Sequence, residues 1–264
     1  MFEVMFMSVA LAASIAASVP LSIIGVYLVV RRVIFLGLVL ANAATAGAAV
    51  ARVLAWPPEI TAIAAALLTS LGLGVLPAPR LVSGESITAW AYAAAASATV
   101  LILAGAAAAD ADTLHLLYGN VLAVSSSHAT ALGILALAIV TVHVVFAPRF
   151  LLITFDAEAA QVAGVNTRAW SMGLNLSIGA AAATAVHEVG VLLTFSLLTL
   201  PPVASLLVTR RIRSTFLVSA AIGVLSVCAG LMVAFYMDLP PGPVSVALLA
   251  LAVVTAAIIS RWQD

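Results

Sequence analysis

A histidine and a glutamate stand side by side within a long apolar stretch of the sequence, at His187 and Glu188. Imidazole and carboxylate groups both bind divalent metals, and ionisable side chains inside an apolar span mark the path of an ion. Neighbours on a straight helix point about 100° apart, so both can ligate one ion only if the backbone breaks between them, a break that the following Val189–Gly190 would allow. The alternative is that both side chains are solvated at a membrane surface.

Side chains of the same ligand type occur at a few other places. Asp110, Asp112 and His115 form one group, which predicts either a metal-capture site or a solvated loop. His128 begins an apolar run and would face the same side of the membrane as that group. His143 lies near the far end of the same run, where we expect it at the membrane interface.

The elements that must position these residues are transmembrane helices. Hydrophobic residues make up 65% of the chain and charged residues 8%, against about 25% charged in soluble domains, and the mean hydropathy is +1.27. A net charge of zero gives nucleic-acid binding no electrostatic support. The single cysteine excludes a disulfide framework, and no positive charge precedes the first apolar run, so no secretory signal peptide is expected.

Runs of about 17–25 apolar residues are long enough to cross a bilayer. They predict nine spans, at about 5–30, 34–55, 60–76, 87–108, 128–147, 169–188, 189–208, 214–236 and 244–260. Prolines end several of them, most firmly at Pro57–Pro58. Only His187–Glu188 separates the sixth run from the seventh, and residues 116–127 are mixed in character, so the expected range is eight to ten spans.

The arginines indicate how these spans are oriented. With nine spans and an external N-terminus, nine of the ten arginines fall on the cytoplasmic side and Arg52 alone falls outside. The prediction is therefore an all-α polytopic transmembrane helix bundle with its N-terminus outside and its C-terminus in the cytoplasm. No polar stretch is long enough to fold alone, so residues 1–264 are expected to form a single domain.

A short polar segment, Phe155–Arg168, lies on the cytoplasmic side of this topology. Its sequence FDAEAAQVAG predicts a short helix, because Asp156 and Glu158 suit the positive N-terminal end and Gly164 suits the stop. Such a helix is either a plain connector at the interface or a docking surface for a soluble partner.

Five stretches resemble, in the same order, segments of the ATP-binding-cassette metal-ion permeases, which import zinc, manganese or iron. They are RRVIFLG at 31–37, LLYGNVLAVS at 116–125, FDAEAAQVAGV at 155–165, VGVLL through LPPVA at 189–204, and DLPPGP at 238–243. The resemblance covers most of the chain and favours the docking interpretation of residues 155–168.

The resemblance implies a multi-pass permease of a prokaryotic plasma membrane with no catalytic residue of its own. It implies three partners: a cytoplasmic ATP-binding-cassette ATPase, an extracellular metal-binding protein, and a second permease copy, expected as a homodimer. ATP would be hydrolysed on the ATPase, in keeping with the lack of a GxxxxGK[ST] loop here. No cofactor is expected to be bound permanently. The residues expected to contact the ATPase are Phe155, Asp156, Glu158, Gln161 and Gly164.

The second span departs from the family at two positions. Its second span has an Asp and a His four residues apart, which would place both on one helix face as metal ligands. The matching residues here are Leu38 and Asn42. Leucine cannot ligate, and the neutral amide of Asn42 either lines the path or bonds a neighbouring helix. The pathway residues predicted are therefore His187, Glu188, Asn42, His128 and His115.

The sequence favours zinc as the cargo, because histidine is the strong ligand available. A second hypothesis keeps the architecture but changes the cargo to a chelated metal or another small solute. A third is an ATP-independent secondary transporter.

Overall fold

The regular structure of the described residues is entirely helical. The computed structural model describes residues 2–75, 84–105 and 124–262. In those ranges the helices are α1 (Phe2–Val30), α2 (Ile34–Leu54), α3 (Pro58–Val75), α4 (Gly84–Gly105), α5 (Ser126–Val145), α6 (Ala147–Phe155), α7 (Ala157–Val162), α8 (Thr167–Val208), α9 (Ile212–Met237) and α10 (Pro241–Arg261). The all-α prediction is confirmed.

Prolines and left-handed residues set the helix ends where the sequence predicts breaks. α2 ends at Ala55, whose φ is 53°, and α3 begins at Pro58. Proline suits a first helical position because the amide hydrogen it lacks has no helical acceptor there. α9 likewise ends at Asp238, with φ of 55°, and α10 begins at Pro241.

α8 spans 42 residues and is interrupted once. At 1.5 Å per residue a straight helix of that length would measure about 63 Å, twice the hydrocarbon thickness of a bilayer. Gly190 breaks it, with φ of 82° and ψ of 165°. That conformation is essentially restricted to glycine. The predicted break therefore exists, but it lies at Gly190 rather than between His187 and Glu188.

Contacts with other helices show that the chain reverses at Gly190. Near the start of α8, Ser171 Oγ lies 3.3 Å from Arg31 Nη2, just beyond the end of α1. His187 lies instead beside Glu59, at the start of α3. Further along, Leu198 packs against Gly25, again near the end of α1. The bundle thus has an Arg31 end, where α8 starts and finishes, and a Glu59 end, where it turns.

Burial lowers the pKa of the Arg31 guanidinium, but an arginine at the end of a span remains protonated at neutral pH.

α1 and α8 form the centre of the bundle, and the other long helices except α4 pack on one or both; α4 packs on α2. The contact between α1 and α8 depends on Gly25, because a Cβ there would collide with the Leu198 carbonyl. α9 joins α1 through a buried hydrogen bond, in which Ser219 Oγ donates to the Ser22 carbonyl at 2.8 Å. Small residues at such crossings allow helices to approach closely.

Seven of the described helices are long and apolar enough to cross a membrane. This number counts α8 once, although it turns at Gly190. α3 is apolar but shorter. The number of crossings and the side on which each terminus lies stay predictions.

Candidate metal site

Four ionisable side chains meet at the Glu59 end of the bundle. Glu59 lies in the first turn of α3, directly after the Pro57–Pro58 break. His128 lies in the first turn of α5, where Ser125 caps the helix by accepting from its backbone N–H. His187 and Glu188 lie just before the turn at Gly190. Three separate helices therefore contribute to what we call the His–Glu cluster, namely Glu59, His128, His187 and Glu188.

Glu59 lies between the two imidazoles. Its Oε1 is 3.6 Å from His187 Nε2 and 3.9 Å from His128 Nε2. One ligand atom from each of these three residues lies within 4.8 Å of the others. Glu188 approaches from another side, with its Oε1 3.3 Å from His128 Nδ1.

The cluster lines a cavity of about 230 Å³ whose remaining walls are mostly apolar, built from Ile63, Ala131, Leu132, Leu135, Ala183 and Thr184. Its members differ in accessibility. The side chains of His128 and Glu59 are 47% and 43% exposed and that of His187 is 28% exposed, whereas that of Glu188 is only 10% exposed. His187 Nδ1 is buried and has no hydrogen-bond partner among the described residues. The cavity therefore offers three accessible ligands and one buried carboxylate.

This arrangement suits a divalent metal ion. Two imidazole nitrogens and a carboxylate oxygen are a frequent ligand set for such ions and leave positions open for exchange. Ligand atoms about 2.1 Å from a tetrahedral metal lie about 3.4 Å apart. The separations of 3.6 and 3.9 Å from Glu59 to the two imidazoles are close to that value, and all three ligand atoms lie within 4.8 Å of one another.

The sequence decides the family. Residues 3–260 match the ABC 3 transport family. The chain belongs to this family. With seven apolar helices of crossing length in its described part, it is a multi-pass protein of the bacterial plasma membrane.

Named relatives match over nearly the whole chain. It is 24% identical over 237 residues to the manganese transport system membrane protein MntC of Listeria innocua, covering 90% of this chain and 84% of that one. It is also 24% identical over 257 residues to a probable iron transport system membrane protein of Haemophilus influenzae, covering 97% and 94%. The solved structure of PsaBC from Streptococcus pneumoniae in complex with Fab superposes with a TM-score of 0.87 at 19% identity, covering 98% and 95%. That likeness shows a shared fold.

Within this ABC 3 member, the structure brings three of the predicted pathway residues together, His128, His187 and Glu188, and places a fourth elsewhere. Asn42 lies inside α2 and is 8% exposed. Its amide donates to the Leu38 carbonyl at 2.9 Å, within its own helix rather than to a neighbouring one. Asn42 is thus not part of the cluster.

The group Asp110, Asp112 and His115, and most of the family-like stretch 116–125, lie outside the described residues.

The sequence analysis does not predict Glu59 as a member of the cluster, because Glu59 directly follows the Pro57–Pro58 break between two spans. A signal was present, since the predicted topology already places Glu59, His128 and His187 on the same membrane side. His143, expected at the membrane interface, is buried among other side chains, and its depth in the membrane stays a prediction. It is 2% exposed, it stacks on Phe150 with ring centroids 5.0 Å apart, and its Nδ1 lies 2.9 Å from the Ile139 carbonyl.

The polar segment folds as predicted, at the Arg31 end of the bundle. Asp156 caps α7 by accepting from Ala159 N–H at 2.8 Å, and Glu158 lies in the first turn. Gly164 ends the helix with φ of 76°, and its N–H donates to the Gln161 carbonyl at 2.9 Å.

The surface of this segment is apolar as well as polar. Phe155 is 61% exposed and Val162 is 92% exposed. Gln161 Nε2 donates to Thr167 Oγ1 at 3.1 Å, which ties α7 to the start of α8.

Proposed function

We propose that this chain is the membrane subunit of an ATP-driven importer of divalent first-row transition-metal ions. We further propose that Glu59, His128 and His187 bind the ion where it enters the permease. The observation that carries the proposal is the convergence of these three ligands from three helices in one open cavity. Ionisable side chains on membrane helices are costly and mark ion pathways.

The ligand set defines a class of ions rather than one metal. Histidine favours zinc, the metal favoured from the sequence, but two imidazoles with one carboxylate also suit iron(II) and manganese(II). Relatives are named for manganese and for iron transport. We therefore include all three ions in the proposed cargo, to be ranked by experiment.

The proposed partners are an ATPase on the cytoplasmic side, an extracellular metal-binding protein and a second permease copy. The ATPase would dock on the segment from Phe155 to Arg168. This segment presents a capped helix with two acids and two exposed apolar side chains, Phe155 and Val162. A rigid, partly apolar helix that is tied to α8 can pass movement from a soluble partner to the turn at Gly190.

Transport assays test the proposal directly. The full chain is reconstituted in proteoliposomes with its ATPase and binding protein, and ATP-dependent uptake of manganese(II), iron(II) and zinc(II) is measured. Glu59→Gln and His187→Ala should each lower the uptake of the preferred ion by about tenfold or more, because each removes a direct ligand. Glu85→Gln is the matched control, since Glu85 also lies exposed in the first turn of a helix but outside the cluster.

Three results would each contradict one part of the proposal. Unchanged metal uptake in Glu59→Gln and His187→Ala would favour a chelated metal or another solute as cargo. Uptake that ignores ATP and follows a proton gradient would indicate a secondary transporter. Retention of the ATPase on purified Asp156→Ala/Glu158→Ala protein would show that docking does not depend on this segment.

A further inference from the structure

We propose that Glu188 is a positioning residue that orients His128 toward the ion and does not itself bind the ion. This inference rests on the proposed metal site and assigns separate roles to two adjacent residues, His187 and Glu188. Glu188 is the most buried member of the His–Glu cluster. It is also absent from the group of three ligands whose atoms converge.

The helix geometry separates His187 from Glu188. The backbone stays helical through both residues, because the only non-helical residue in α8 is Gly190. Adjacent side chains on a helix point about 100° apart. Accordingly His187 Nε2 faces Glu59, whereas Glu188 Oε1 faces the Nδ1 atom of His128. The condition under which both residues could ligate one ion, a break between them, is not met.

The contact between Glu188 and His128 determines which ring nitrogen of His128 carries the hydrogen. A carboxylate can only accept hydrogen bonds, so its approach to 3.3 Å favours the tautomer with hydrogen on Nδ1. The neutral ring then carries its lone pair on Nε2, the atom on the side of Glu59. A carboxylate behind a histidine in this way holds the ring orientation and makes the ligating nitrogen more basic.

The burial of Glu188 makes its contact with His128 important for stability as well. A carboxylate whose side chain is only 10% exposed requires a partner, and His128 Nδ1, 3.3 Å away, is the donor that the described part of the chain places beside it. Within the part of the chain that the structure describes, His187 has no such support, since no hydrogen-bond partner faces its Nδ1. The two imidazoles should therefore respond differently to changes at position 188.

Metal affinities of variants separate positioning from ligation. Dissociation constants for zinc(II) and manganese(II) are measured by chelator competition on the full chain in lipid nanodiscs. Glu188→Leu should weaken binding by about tenfold to a hundredfold, the usual effect of removing an outer partner. Glu188→Gln should retain most of the affinity, because its amide oxygen can still accept from Nδ1. In a His128→Ala background, Glu188→Leu should cause no further loss.

The alternative outcomes are distinct. If Glu188 were a ligand, Glu188→Gln would lose nearly as much affinity as Glu188→Leu, and the loss would persist without His128. Either result, or no effect of Glu188→Leu, overturns the inference. If Glu59→Gln and His187→Ala leave the affinity unchanged, the proposed metal site itself fails, whatever the Glu188 variants show. Unchanged elution on size exclusion and an unchanged melting temperature establish that each variant is folded.

Discussion

Replacing Gly190 by alanine tests how strongly the fold and the His–Glu cluster depend on one backbone conformation. The residue has φ of 82° and ψ of 165°, a region from which a Cβ is largely excluded. Gly190→Ala therefore either keeps the turn under strain or lets the helix continue by one residue. Both responses have consequences that can be calculated from the structure.

The strained response would lower the free energy of unfolding by about 1–3 kcal/mol, which is about fivefold to 150-fold in the folding equilibrium. The relaxed response would rotate the preceding residues by about 100°. On a helix of about 2.3 Å radius this moves a Cα atom by about 3.5 Å. A shift of that size removes the contact of 3.6 Å between His187 and Glu59 and that of 3.3 Å between Glu188 and His128.

The assay combines stability with metal binding. Denaturant unfolding of the purified chain gives the change in free energy, and chelator competition with zinc(II) gives the dissociation constant. Gly173→Ala is the matched control, because Gly173 lies in the first half of the same helix, and a Cβ there would meet no atom of the described residues within 4 Å. In a helix interior that control should be neutral or stabilising by about 0.5–1 kcal/mol.

The reasoning is refuted if Gly190→Ala matches Gly173→Ala in both measurements. A loss of stability with unchanged zinc affinity would show that the turn is strained but does not position the cluster.

Three further changes have defined outcomes. Asp156→Ala should weaken copurification of the ATPase, because it removes the cap of α7 at a cost of about 0.5–2 kcal/mol. Asp156→Asn should preserve copurification, because asparagine also caps helices. An equal loss in both variants would show that the negative charge of Asp156 matters and not its capping. Gly25→Ala should destabilise the bundle by about 1–3 kcal/mol in denaturant unfolding, since its Cβ would collide with the Leu198 carbonyl. Ser219→Ala should cost only about 0.6 kcal/mol in the same measurement, because it removes one hydrogen bond to Ser22; a larger loss than for Gly25→Ala would contradict this ranking.

Much of the helical architecture could be predicted from local chemistry. The break at Pro57–Pro58 and the capped helix that begins after Asp156 follow from the residue types at those positions. The reversal in α8 is harder to place, because only His187 and Glu188 interrupt a long apolar run there. One glycine, Gly190, defines the turn with a positive φ that other residues rarely adopt.

The surroundings of individual side chains depend on packing. His143 is expected at the interface from its place in the sequence, and Tyr27 and Phe150 from other helices pack against it there. Asn42 was given a choice between the path and a neighbouring helix, and it bonds its own helix. Neither the partners of a side chain nor its burial can be deduced from the span in which it lies.

The composition of the cluster could be predicted further than its geometry. Two predicted crossings separate Glu59 from His128, and two more separate His128 from His187. An even number of crossings returns the chain to the same side, so the three residues must share a membrane face whichever way the protein is oriented. An error in the total count after residue 190 would leave this conclusion intact. The atoms that meet cannot be deduced in this way, because their positions depend on packing among α3, α5 and α8. They also depend on the step of about 100° along the helix, which directs His187 toward Glu59 and Glu188 toward His128.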